Sequence, residues 1–215
     1  PGAMIAFGPD RHLYLTSGDR QLGSPAQVLD DSRGKILRLK PDGTPATGNP
    51  FPSAPEVWTL GHRNPYGLTF DSTGKLWSHE MGPRGGDELN LIAAGENYGW
   101  PRVSEGRKYS GLNIPDHDTR PEFTAPLVDW TPIIAPAGMI YYDGAAFPEW
   151  QGSLMLGGLA SQALIRVEIG ETSAREIERW NMGRRIRDLA TDAQGQVYVL
   201  EDGDEARLLQ LSRGQ

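Results

Sequence analysis

Three stretches decide the fold: Phe7-Gly8-Pro9-Asp10-Arg11-His12-Leu13-Tyr14, Phe70-Asp71-Ser72-Thr73-Gly74-Lys75-Leu76-Trp77 and Ala190-Thr191-Asp192-Ala193-Gln194-Gly195-Gln196-Val197-Tyr198. Each is a polar turn that runs into a strand with an aromatic near its start. Asp10 and Asp71 are 61 residues apart, and Asp71 and Asp192 are 121 apart, close to twice that interval. A divergent fourth unit near residues 138–155 fits the gap. A period of this size, with about four short strands per unit, is the pattern of propeller blades. An ordinary sandwich with chance turn similarity is the competing reading. The expected fold class is therefore all-β: a β-propeller of three to four blades, as a single domain over residues 1–215. Three blades alone would leave open edges, which favour pairing with another chain. The chain is then a four-bladed ring, a piece of a larger ring or half of an assembly.

Working outward, strand signals recur at 13–16, 35–39, 76–79, 139–142, 154–156, 164–169 and 197–200, with turn chemistry between them. Helical periodicity is nearly absent. The weak candidate, 173–180, reads equally as a strand with Ile177 and Trp180 inward.

Composition narrows the function classes. The 215 residues carry a net charge of −7 and a pI near 5.1, against a nucleic-acid partner. No apolar run is long enough to predict a membrane span. The absence of cysteine excludes disulfides and thiolate chemistry.

Three polar constellations carry chemistry. Gly61-His62-Arg63-Asn64-Pro65-Tyr66-Gly67 lies between strands at 56–60 and 68–70. Such a run is costly to bury, so a loop at a ring face is expected, where Arg63 offers a planar donor fork and Asn64 both donates and accepts. A solvated turn with a structural ion pair is the plainer alternative. His79-Glu80-Met81-Gly82-Pro83-Arg84-Gly85-Gly86-Asp87-Glu88-Leu89-Asn90 combines carboxylates with a Gly-rich turn that exposes carbonyls, the oxygen donors calcium prefers. Arg184-Arg185-Ile186-Arg187-Asp188 puts Arg185 and Arg187 on one strand face, where like charges repel unless an anion lies between them. Asp188 alternates to the other face, so an anionic ligand would answer the problem. A solvated strand face is the alternative.

Taken in order, Gly61-His-Arg-Asn-Pro65, Glu80-Met-Gly-Pro-Arg-Gly-Gly-Asp-Glu-Leu-Asn90, Gly95-Glu-Asn-Tyr-Gly-Trp-Pro101 and Arg185-Ile-Arg-Asp188 resemble the glucose/sorbosone dehydrogenase family, the soluble aldose sugar dehydrogenases that use pyrroloquinoline quinone (PQQ) and calcium. Gly34-Lys-Ile-Leu-Arg-Leu39, Pro41-Asp-Gly43 and Asn49-Pro-Phe51 fit as well. The resemblance implies a ring of six blades, of which this chain is the C-terminal portion.

The resemblance also implies site residues. Arg63, Asn64, Tyr109, Arg185 and Arg187 would bind PQQ. The carbonyls of Gly82 and Pro83 would bind the calcium that touches PQQ, and Glu88 with the carbonyl of Tyr98 a second, structural calcium. The implied activity is oxidation of an aldose to its lactone, with electrons passed to an external acceptor in a periplasmic or secreted setting. The family's general-base histidine stands just before the segment matching residues 2–7, and is therefore expected upstream of Pro1. His12, His62, His79 and His117 do not align with it, so no catalytic residue is expected in this chain. A fragment that is inactive or weakly active is expected, able to self-associate through open blade edges. Ala160, in Gly157-Gly158-Leu159-Ala160-Ser161, stands where some relatives carry a basic residue. A non-catalytic propeller module and a calcium-dependent lactonase-like propeller are the alternative functions.

Overall fold

The computed structural model describes residues 2–213. Pro1 lies outside the described residues, and so does the histidine expected upstream of Pro1. The chain divides into two compact units, up to Ile133 and from Ile134 onward. In the first unit the strands are β1 (Ile5–Phe7), β2 (Leu13–Ser17), β3 (Lys35–Leu39), β4 (Val57–Leu60), β5 (Pro65–Phe70), β6 (Leu76–Glu80), β7 (Asp87–Ile92) and β8 (Val128–Trp130). They form two four-stranded antiparallel meanders, β1-β2-β3-β4 and β5-β6-β7-β8. The second unit holds β9 (Pro136–Tyr142), β10 (Ser153–Gly158), β11 (Ala163–Ile169), β12 (Ala174–Asn181), β13 (Ile186–Thr191), β14 (Val197–Glu201) and β15 (Leu208–Gln210). These make a four-stranded sheet, β9 to β12, and a three-stranded one, β13 to β15. The described residues are thus all-β, with four antiparallel sheets and only short 3₁₀ turns besides. Each meander has the strand order expected of one blade.

Every strand expected from the sequence is present, most of them longer by one to three residues. The ambiguous segment at 173–180 is strand β12, paired with β11 from Ala163↔Asn181 to Ile169↔Ala174. There the open edge of β11 supplies ladder hydrogen bonds, and the cross-strand pair Arg166–Glu178 closes at 2.7 Å. Burial grades across this sheet. β10 is buried along its whole length, whereas β12 is half-buried or exposed throughout.

Hydrogen bonds explain the repeat and correct its register. Asp71 Oδ2 accepts from Trp77 Nε1 at 2.9 Å, and Asp192 Oδ2 accepts from Tyr198 OH at 3.2 Å. Each carboxylate ties the turn to the aromatic of the strand it introduces. Burial pushes the Asp71 carboxyl up, but hydrogen bonds from Trp77, Thr73 and Lys75 outweigh it and hold the group below the usual carboxylate range. In the first turn, Gly8 occupies the position of Asp71 and Asp192, since Gly8 N donates to the His12 carbonyl as Asp71 N does to that of Lys75. Asp10 stands two residues further on, yet reaches the matching aromatic, Tyr14 OH, at 3.1 Å. The repeat therefore keeps the carboxylate–aromatic tie but not the carboxylate's place. Gly74 and Gly195 take φ of 85° and 78°, and Arg11 takes their position at φ 62°, a left-handed conformation that a side chain resists.

Apolar clusters fill each unit. Tyr14, Ile36, Leu68, Leu76, Ile92 and Tyr98 pack together in the first, and Tyr142, Phe147, Met155, Leu164, Ile186 and Val199 in the second.

Candidate functional site

The first unit gathers seven of the nine residues singled out from the sequence. The turn from β4 to β5 carries His62, Arg63 and Asn64, but the expectation that this polar run lies at an exposed face is wrong for His62, which is fully buried. Burial is tolerable because each ring nitrogen is satisfied: Nδ1 faces Glu80 Oε1 at 2.9 Å and Nε2 faces Thr59 Oγ1 at 2.8 Å. Its ring also stacks on Tyr98 with centroids 4.8 Å apart. The Glu–His–Thr order is that of an activated nucleophile. Thr59 and His62 are both closed to solvent, however, so the relay is structural.

Glu80 organises the turn. Its Oε2 accepts the backbone N–H of Arg63 at 2.5 Å and that of Asn64 at 3.3 Å. Burial raises this carboxyl, but His62 and the two N–H groups more than offset it and hold it below the usual range.

Arg63 is aimed at main-chain oxygens. Nη1 donates to the carbonyls of Met81 and Gly82 at 2.6 and 2.7 Å, and Nη2 donates to Tyr109 OH at 3.0 Å. The guanidinium also lies over the rings of Trp100 and Tyr109, 5.3 and 5.8 Å from their centroids. The Gly82 carbonyl assigned to calcium by resemblance thus already accepts from a cation, and Pro83, buried beside it, forms no such bond to Arg63. The turn is tight: a Cβ on Gly82 would lie 2.2 Å from the Gly85 carbonyl oxygen, so only glycine fits. Asn64 Oδ1 accepts the Gly2 N–H at 2.6 Å.

Glu88 sits on β7, directly across the ladder from Glu80 on β6. The 79–90 stretch leaves its Gly-rich turn before Glu88, since the segment from Asp87 is strand. Opposite residues share a face, so two carboxyl groups meet in the interior. Glu88 is buried and has one long hydrogen bond, 3.4 Å from Asn90 Nδ2. Burial pushes it well above the usual carboxylate range, the Glu80 charge adds to this, and the Asn90 bond offsets it only partly. Asn90 Oδ1 is buried with no hydrogen-bond partner. A cavity of about 10 Å³, bordered by Glu80, Glu88, Gly82 and Tyr98, adjoins the pair. That is room for one water-sized species.

A buried acid short of donors, an unpartnered amide oxygen and a small cavity suit a cation better than they suit a closed apolar core. The Tyr98 carbonyl, the other expected ligand, faces His117 Nε2 at 3.2 Å. His117 in turn meets Glu105 Oε1 at 3.0 Å through Nδ1. No three His, Asp or Glu side chains converge as a metal cluster among the described residues. A cation here would rest on Glu88 and neutral oxygens.

In the second unit, Arg185 and Arg187 do share a face, but the anion between them belongs to the chain. Asp202 Oδ2 accepts from Arg185 Nε at 2.7 Å, and its Oδ1 accepts from Arg187 Nη2 at 2.9 Å. The sequence offered an anionic ligand or a solvated face as the answer to the like charges; Asp202, distant from the motif, supplies the anion instead. The hydrogen bonds from Arg185 and Arg187 hold the Asp202 carboxyl below its usual range. A β-bulge between Ile186 and Asp188 carries Arg187, a device that re-aims a side chain. Ala160 is exposed.

Sequence reasoning missed the partner residues: Glu80 as the anchor of the His62–Arg63–Asn64 turn, Trp100 beneath the Arg63 guanidinium, His117 on the Tyr98 carbonyl, and Asp202. Each acts on residues distant along the chain, and Asp202 merely follows a strand, with no local signal for its role.

The two antiparallel meanders of the first unit thus carry both a buried, donor-poor carboxyl and an arginine turned to main-chain carbonyls. The chain belongs to the glucose/sorbosone dehydrogenase family, whose pattern matches residues 1–210. It is 35% identical to the aldose sugar dehydrogenase YliI of Escherichia coli, over 98% of this chain and 59% of that protein. Among solved structures, a glucose dehydrogenase superposes with a TM-score of 0.92 at 38% identity, covering 98% of this chain and 64% of the other. The PQQ-bound aldose sugar dehydrogenase of Streptomyces coelicolor gives 0.77 at 31%, covering 97% and 60%. The chain spans less than two thirds of the length of each.

Proposed function

We propose that this chain forms part of a PQQ- and calcium-dependent aldose dehydrogenase, whose whole ring has six blades. The observation that carries the reading is Glu88, a buried acid with one long hydrogen bond beside a cation-sized cavity, in a chain of the sugar dehydrogenase family. Glu88 and the Tyr98 carbonyl would hold a structural calcium. The carbonyls of Gly82 and Pro83 would hold the calcium next to the cofactor, with Arg63 sharing or yielding the Gly82 oxygen. Arg63, Asn64, Tyr109, Arg185 and Arg187 would bind PQQ. With both groups bound, the quinone supplies a hydride acceptor for the sugar's anomeric carbon, polarised by calcium as a Lewis acid.

The protein's own contribution is positional and electrostatic. Glu80 fixes the backbone of Arg63 and Asn64, and Arg63, with Nη1 engaged by two carbonyls, keeps Nε and one Nη2 hydrogen for an anionic group. Arg185 and Arg187 are both held by Asp202 and keep free donors for a carboxylate. His62, His79 and His117 are buried, and His12 is held between Asp10 and Arg38. None is an open imidazole suited to abstract the sugar's proton.

Calorimetric titration with PQQ in the presence of calcium tests the reading. PQQ is expected to bind only when calcium is present, and without PQQ, where only the structural site is complete, Glu88→Gln is expected to abolish calcium's rise in melting temperature. Turnover of an aldose with a dye acceptor should be negligible. Absence of PQQ heat, or calcium stabilisation that survives Glu88→Gln, would count against it.

A further inference from the structure

Arg84 and Arg107 face each other in an isolated antiparallel bridge, with Arg107 N donating to the Arg84 carbonyl at 3.0 Å. Side chains opposite each other in such a bridge share a face, and two like charges there repel. Both residues are exposed, and among the described residues neither guanidinium has a hydrogen-bond or ion-pair partner. They line a cleft of about 790 Å³, a volume typical of small-molecule sites. Glu105 is the carboxylate on its wall, but His117 engages it through both its backbone N–H and Nδ1. The rest of the wall is largely apolar, with Pro83, Pro132 and Ile133. Tyr109, 69% exposed, presents its ring there while its hydroxyl is pinned by Arg63.

We propose that Arg84 and Arg107 form an anion-binding subsite for the carboxylate or phosphate of an acidic sugar, whose ring lies against Tyr109. The ligand supplies the negative charge that the pair lacks, since guanidinium forks match carboxylate and phosphate oxygens. The cleft's apolar wall gives the sugar's C–H face a surface, which a bare ion would not use. The choice of a sugar rests on the dehydrogenase reading above. The choice of an anion does not.

The test is titration of this chain with glucuronate, glucose 6-phosphate, glucose and inorganic phosphate, followed by calorimetry or NMR. One or both acidic sugars are expected to bind about tenfold more tightly than glucose, as a charge-assisted contact implies. In the Arg84→Gln/Arg107→Gln double variant that advantage should vanish with the melting temperature unchanged, since both side chains are at the surface. Equal affinity for glucose and the acidic sugars overturns the proposal. So does retained affinity in the double variant, or inorganic phosphate binding as tightly as glucose 6-phosphate. PQQ titration separates the two readings. Unchanged PQQ affinity in the double variant places the subsite apart from the cofactor, and lost PQQ affinity overturns it. Acidic-sugar binding without any PQQ binding leaves the subsite standing and removes the dehydrogenase reading.

Discussion

Arg84 with Arg107, in the first unit, and Arg185 with Arg187, in the second, set the same electrostatic problem and meet it differently. Both pairs crowd two guanidinium groups on one face. The second pair is bridged by Asp202, with 2.7 and 2.9 Å contacts, while the first has no such bridge and opens into a cleft. An internal carboxylate makes an arginine pair into a fixed platform, and its absence leaves a site that an outside anion can complete. The same contrast recurs inside the first unit. Glu80 is fully engaged by His62, Arg63 and Asn64, whereas Glu88, directly across the ladder, has one long hydrogen bond. Paired carboxylates hold the fold in shape, while groups short of partners are the candidates for ligand contact.

The largest effect should come from breaking the buried, satisfied member. Glu80→Gln removes the charge that holds His62 and the Arg63 N–H in the interior, and a loss of about 3–5 kcal/mol is expected. Urea unfolding measures it. A loss comparable to that of a surface pair would erase the distinction between the two settings.

A smaller effect should follow from turning the bridged pair into an open one. Asp202→Asn is expected to lower stability only slightly, because both arginines are partly exposed, while creating weak affinity for inorganic phosphate at Arg185 and Arg187. Acid should do the same reversibly. The Asp202 carboxyl titrates lower in the folded chain than in the unfolded one. Its contribution to stability is therefore complete above the unfolded value, about 3.9, and is lost as pH falls through the folded one. Carbon-13 NMR of the Asp202 carboxyl should show the low midpoint, and a midpoint at or above the unfolded value would contradict the bridge.

The smallest effect concerns an arginine constrained by its backbone and not by charge. Arg11 holds φ 62° where the matching turns use glycine, so Arg11→Gly should be neutral or stabilising by about 1 kcal/mol at most in thermal unfolding. A clear loss would show that the Arg11 side chain, and not the turn geometry, matters there.

Much of the fold was legible because its signals are local. Asp71 and Trp77, or Asp192 and Tyr198, lie within one turn and one strand, so spacing alone exposes the repeating unit. The offset of Asp10 was not legible, because only the hydrogen-bond frame shows that Gly8, not Asp10, begins its turn. Of the candidate site, the residue types at 61–64, 80–90 and 185–188 were evident as motifs. Their satisfaction was not, since it depends on partners such as Glu80, Asp202 and His117, which are brought in by strand pairing.

By itself the sequence determined an all-β chain of repeated turn–strand units and its membership of a sugar dehydrogenase family, because turn chemistry, strand alternation and ordered motifs are written in neighbouring residues. Tertiary structure alone decided which charges are already paired. Burial and cross-strand register set whether a carboxylate meets N–H groups, another carboxylate or an arginine. That is why Glu80 and Glu88, identical in type, and the two arginine pairs, one local to a strand and one made by an isolated bridge, end in opposite electrostatic states.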